Sequence, residues 1–111
     1  MEEEDASLEK NENFFSEEKK EEYLNEENFD SFITKMNDFI KIFDEEEGKA
    51  NKVTFKAIAS NLDWSIEKDA KAFAKHCKKE AIADAEEIIA FLFYQFNNNP
   101  NKFEDILNKM N

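Results

Sequence analysis

The stretch VTFKAIASNLDWSIEKDAKAFAKHC, running from Val53 to Cys77, decides how this chain folds. It contains neither Gly nor Pro. Phe55, Ile58, Ala59, Leu62, Ile66, Ala70, Phe73 and Cys77 recur at helical spacing, which lines them up as one apolar stripe. The spacing predicts a single helix of roughly seven turns. Asp63-Trp64-Ser65 is the one place where it can break, because Ser65 can cap a new helix start.

Outward from this stretch the chain continues to read as helix. Upstream, Phe29, Phe32, Ile33, Met36, Phe39, Ile40 and Phe43 fall on one face of a helix of about four turns. Asp44 to Gly48 should end it: acids oppose the helix C-terminal dipole, and Gly suits a C-terminal cap. Downstream, Lys78 to Ile82 reads as a short loop with one buried apolar residue. Asp84 can cap the next helix, with Glu86 and Glu87 near its positive end. That helix, with Ile88, Ile89, Phe91, Leu92 and Tyr94 to Phe96, is apolar nearly all round. Asn97 to Pro100 stops it, and Phe103, Ile106, Leu107 and Met110 form a short C-terminal amphipathic helix.

Composition agrees with an all-α chain. Its 111 residues fit one domain. Apolar residues are 41% of them, with twelve Phe, enough for a small core. One Gly and one Pro leave little turn chemistry for a β-sandwich or barrel. One Cys and one His are too few for a disulfide or a structural zinc site. All fifteen basic residues are Lys, so no guanidinium clamp on phosphate is available. No apolar run approaches the length of a membrane span. The start, Met-Glu-Glu-Glu-Asp, is the opposite of a signal or transit peptide, so an intracellular, soluble protein is expected.

Charge is uneven. Residues 1–48 carry 18 acids and 5 Lys, residues 49–79 carry 3 acids and 8 Lys, and residues 80–111 carry 6 acids and 2 Lys. A basic middle is hidden inside a net charge of −12. Residues 1–28, with runs such as Glu17-Glu18-Lys19-Lys20-Glu21-Glu22, read as an acidic, flexible tail. Phe14, Phe15, Tyr23 and Leu24 are the residues by which a short helix there could dock. Residues 29–111 read as a single helical domain.

The order of medium helix, basic-flanked loop, long helix, short loop and short helix is the layout of a histone fold. Asp69 to Leu92, with Phe73-Ala74-Lys75-His76, Lys78-Lys79, Ile82 and the acidic helix start at Glu86, resembles the end of helix 2, loop 2 and helix 3 of histone-fold proteins. Within them it is most similar to the centromere protein S family; histone folds of the transcription factor TFIID look similar. The resemblance implies a handshake dimer with a second histone-fold protein, a nuclear setting and a scaffolding role in a chromatin or DNA-associated complex. It implies interface residues at Phe55, Leu62, Trp64, Ile66, Phe73, Ile88, Phe91 and Leu92. It also implies weak, non-specific phosphate contacts from Lys49, Lys52 and Lys56 on the loop 1 side and from Lys78 and Lys79 on the loop 2 side. The family's loop 2 to helix 3 ion pair would fall on Lys79 and Glu86. Lys in place of Arg at 79, and Glu80 where the family has a small hydroxyl residue, depart from its pattern.

No catalytic residue, cofactor, metal site, membrane segment or small-molecule substrate is expected. His76 and Cys77 are neighbours on a helix, about 100° apart, and so form no dyad. Two other folds fit the same residues. Met36 to Asp44 resembles the first helix and loop start of an EF-hand, with helices then needed near 30–43, 54–62, 66–76 and 84–96. Its loops would be wrong for calcium: residues 44–55 are too long before Val53, and Lys75, Cys77 and Lys79 would stand at oxygen-ligand positions. Such a lobe would be calcium-free and grip a target helix, as a myosin light chain does. The third is a homeodomain-like helix-turn-helix over 53–77, with Trp64 at the turn; absent Arg and net acidity count against base recognition. Asp63 to Ser65 is helical in the histone fold and broken in the other two.

Overall fold

The computed structural model describes residues 14–79 and 84–110. Among them every regular element is helical. The helices are α1 (Glu17–Leu24), α2 (Glu26–Phe43), α3 (Lys49–Asn51), α4 (Phe55–Asn61), α5 (Glu67–Lys79), α6 (Ala85–Asn98) and α7 (Pro100–Asn108), with a π-helical turn over Asp44–Gly48 between α2 and α3.

Helix α6 is the axle. Ala85 and every residue from Ile88 to Gln95 are buried, as its all-round apolarity predicts. Helices α5, α7, α1 and α2 pack around it. Phe32 of α2 stacks on Phe91 at 4.9 Å between ring centroids. Lys35 donates to the Glu87 carboxylate at 2.9 Å and ties the same two helices at their edge.

The long helix expected over Val53–Cys77 is two helices. The Leu62 N–H closes α4 on the Ile58 carbonyl, and α5 begins only at Glu67. Asp63 makes the turn: its carboxylate accepts from the Ser65 N–H at 3.0 Å and from the Ser65 hydroxyl. Trp64 then folds back into the core. Its indole N–H donates to the Ala59 carbonyl at 2.8 Å, satisfying a group that the end of α4 leaves open. Asn97 donates to the Trp64 carbonyl at 2.9 Å, and the indole packs against Phe103. The four-residue step from Leu62 to Ile66 had kept the stripe in phase. Across the turn that phase is coincidental, because Ile66 is 42% exposed while Trp64 is buried.

The end of α2 also departs from its expected stop. The helix widens rather than terminating: the Lys49 N–H bonds the Asp44 carbonyl, and helix resumes to Asn51. Lys52, not Gly48, takes the left-handed conformation that ends it, at φ 57°. Gly48 serves a close approach instead. The chain doubles back over it, the Val53 N–H bonds its carbonyl at 2.9 Å, and a Cβ there would stand 2.5 Å from the Val53 carbonyl oxygen. Asp84 occupies the N-cap position of α6 but is left-handed at φ 62°, not extended, and its side chain caps nothing.

The segment expected as a tail contains α1 and the start of α2. Ser16 caps α1, Phe15 packs on Phe93 and Tyr94, and the wholly buried Tyr23 stacks on Tyr94. The Tyr23 hydroxyl donates to the Phe14 carbonyl, and Gln95 of α6 donates to the Tyr23 carbonyl at 2.7 Å. The charged run between Phe15 and Tyr23 faces outward, which is why composition alone reads as tail. Residues 1–13 and 80–83 lie outside the described residues, and with them the first part of the expected tail and Ile82, the expected buried residue of a short loop.

Candidate functional site

Five of the eight expected interface residues are already covered by this chain. Phe55, Trp64, Ile88, Phe91 and Leu92 are all buried in its core. Phe55 meets Phe39 and Phe43 edge-on, at 5.0 and 5.5 Å, and stacks on Phe73 at 5.7 Å. The surplus apolar surface that a handshake requires is taken up by α1, α2 and α7. Leu62 and Phe73 remain half-buried, and Ile66 is exposed.

A set of half-buried apolar residues gathers between α4 and α5, while Ile42 and Ile66 are exposed outside it. Phe43, Val53, Ile58 and Phe73 wall a hollow of about 390 Å³, with Glu47, Asn51 and His76 at its rim. It shares Val53 and Ile58 with a second hollow of about 340 Å³, lined also by Ala57, Asn61 and Leu62. Together they make a groove along α4. Local bonds fix it. Thr54 caps α4 by accepting from the Ala57 N–H, and the Asp44 carboxylate accepts from the Phe55 N–H at 2.9 Å. His76 and Glu47 meet at 3.0 Å across the mouth, joining α5 to the π-helical turn. Of the lining, Leu62 and Phe73 are among the expected interface residues; Ile58 belongs to the apolar stripe but not to that set, and Val53 to neither. The i, i+4 step from Ile58 to Leu62, on a different side of α4 from the buried Phe55 and Ala59, was the available signal.

The expected phosphate-contacting lysines stand on separate surfaces. Lys49 and Lys52 line a shallow hollow with Asp44, Gly48, Val53, Thr54 and Ala57. Lys56 is exposed on α4. Lys78 and Lys79 line a different hollow, which they share with Lys71, Lys75, Phe15, Ala74 and Glu86. The ion pair to Glu86 comes from Lys78, at 3.8 Å, rather than from Lys79. Lys78 and Lys79, expected in a loop, instead end α5, and the structure joins them to Lys71 and Lys75, whose spacing of about one helical turn announces a common face.

Cys77 is fully buried, and burial, reinforced by the Glu47 charge, pushes its thiol up to about 12. In the folded molecule it stays protonated at neutral pH, which disfavours it as a nucleophile. Among the described residues no group of three or more His, Cys, Asp or Glu is placed to hold a metal ion, and no helix is long and apolar enough to cross a membrane. Compared with protein-family models, curated proteins and solved structures, the chain has no match.

Proposed function

We propose that this chain is a non-catalytic binding module, an EF-hand-like lobe independent of calcium, which seats an amphipathic helix of a partner protein in the groove between α4 and α5. The observation that carries this reading is the groove itself: Val53, Ile58, Leu62 and Phe73 stay only half-buried after the described helices have packed, and the buried Phe43 joins them in its lining. A helix laid there would insert apolar residues at i, i+3 and i+4. Glu47 lines one end, and Glu45 and Glu46 are exposed beside it, so the partner helix should carry basic residues at that end.

Two helix–loop–helix pairs support the EF-hand-like arrangement: α2 with α4 and α5 with α6, separated by the turn at Leu62–Ile66. The first loop supports calcium independence. It is helical through Asn51, its Asp44 carboxylate is committed to the Phe55 N–H, and Lys49 and Lys52 stand within it. The histone-fold reading is weaker, since it requires an unbroken helix over 53–77 and an open interface at Phe55, Ile88, Phe91 and Leu92. The nuclear setting, the histone-fold partner and the DNA contact came with that resemblance and weaken with it.

The test is to purify the partner captured by the parent chain and map hydrogen exchange in the complex. Protection should concentrate on residues 53–62 and 73–77. Leu62→Glu should release the partner while Ile66→Glu, outside the groove, retains it. Retention by Leu62→Glu, or protection confined to other helices, would overturn the proposal. Added calcium should leave the near-ultraviolet circular dichroism unchanged.

A further inference from the structure

On the far side of α5 lies a second, differently charged surface. Lys71, Lys75 and Lys78 follow one another at steps of four and three, and Lys79 adjoins Lys78. They rim a hollow of about 630 Å³ whose floor is apolar, made by Phe15 and Ala74. The Lys71 ammonium lies 5.6 Å from the centre of the Phe15 ring and 2.8 Å from Glu67. Lys78 reaches Glu86. Among the described residues, Lys75 and Lys79 have no carboxylate partner. Four cations thus surround an apolar floor in a chain of net charge −12.

We infer that this lysine-rimmed hollow is a docking site for a short acidic peptide segment carrying an apolar anchor residue. Three features select that occupant. The rim cations are spaced about one helical turn apart, over roughly 10 Å, so they match carboxylates distributed along a peptide rather than one compact anion. The apolar floor would be wasted on a phosphate or a nucleic-acid backbone but can bury a Leu or Phe. Glu67 and Glu86 bound the lysine row at its two ends, and the acidic α1 begins just beyond Phe15. A long polyanion such as duplex DNA would run over those carboxylates, whereas a short segment stops between them. Lysines without Arg give point charges, so attraction is strong at low salt and has little geometric selectivity.

The inference stands on observations separate from the groove between α4 and α5. It is tested on the full chain by fluorescence anisotropy, with a fluorescein-labelled synthetic peptide of Asp and Leu residues and a counterpart in which Lys replaces Asp. The Asp–Leu peptide should bind saturably and release as salt rises; the Lys–Leu peptide should not bind. Lys75→Glu with Lys79→Glu should weaken binding by about tenfold, from two lost surface pairs and the repulsion that replaces them. Lys49→Glu with Lys52→Glu, and Leu62→Glu, should leave it unchanged. Lys75 and Lys79 are exposed, so the double variant should melt as the parent does. Should it not, Lys75→Gln with Lys79→Gln supplies the same test, with a loss of about threefold. Absence of saturable binding, equal binding by the lysine variants, or tighter binding of duplex DNA, inorganic phosphate or anionic vesicles would overturn the inference.

Discussion

Gly48 shows how one residue type can answer two different physical demands. Beside a run of acids at the end of a helix, it reads as a C-terminal cap. Its φ of −63° is instead ordinary right-handed helix, and what excludes a side chain is the Val53 carbonyl lying across it. The two roles predict opposite results. With helical backbone and open space, Gly48→Ala would stabilise by about 0.5–1 kcal/mol. With a backbone oxygen 2.5 Å from the new Cβ, the chain must shift, and the variant should lose about 1–3 kcal/mol in urea unfolding. A stabilised Gly48→Ala would show that the return of the chain over Gly48 is not as described. Cys77 was legible as core from the sequence, since a lone apolar-stripe Cys is usually buried and inert. Its thiol should react with iodoacetamide at neutral pH only as fast as the molecule opens, and quickly once denaturant unfolds it. Because its pKa is raised by folding, the unfolded chain gives up the thiol proton first as pH rises. Stability should therefore fall between the ordinary thiol range and about 12.

Among the elements, the break between α4 and α5 is the decisive one. Leu62 and Ile66 predict continuity by their spacing, whereas Asp63, Trp64 and Ser65 together build a turn from side-chain bonds that spacing cannot register. Trp64→Phe keeps most of the buried ring but leaves the Ala59 carbonyl without its donor. It should cost about 1–3 kcal/mol, read from the shift in denaturation midpoint. Loss of less than a few tenths would mean that the indole bond does not hold the turn. The amides of 63 and 64 should exchange much faster than those of α6. A second junction, Lys35 to Glu87, holds α2 on α6. The hydrogen bond to Glu87 raises the Lys35 pKa against the opposing effect of burial. A raised lysine pKa stabilises fully below the ordinary lysine range, and that stabilisation disappears as pH climbs through the folded value. Lys35 is 43% exposed, so solvent screens the pair. Lys35→Met should therefore cost only about 0.5 kcal/mol at neutral pH, with the difference vanishing in strongly alkaline solution.

For the whole molecule, the question is whether the apolar surface closes on itself. Twelve Phe on 111 residues look excessive for so short a chain, and surplus apolar surface argues for a dimer. The packing accounts for them internally: Phe15, Phe32, Phe39, Phe43, Phe55, Phe91, Phe93 and Phe103 are all buried in one core, and most of them touch another ring. Light scattering on the purified chain should give a monomer, with a single cooperative unfolding transition independent of concentration. An obligate dimer would restore the handshake.

Sequence by itself determined the helical class, the amphipathic face of α2, the burial of α6 on every side and the stop at Asn97 to Pro100. These follow from periodicity and residue type, which act over a few turns of chain. Tertiary structure alone decided three other things. It decided between a continuous and a broken stripe at Trp64, because the Phe103 ring that receives the indole and the Asn97 that holds the turn come from far along the chain. It recruited α1 into the core, because two aromatic residues at the ends of a charged run suffice once Tyr94 and Phe93 stand ready to receive them. And it moved most of the expected interface inside, leaving open, among the described residues, the groove along α4 and the lysine rim on α5 together with the exposed Ile42 and Ile66. Which apolar face remains exposed depends on what every other segment covers, and that is a property of distances between residues far apart in the chain, which no local pattern encodes.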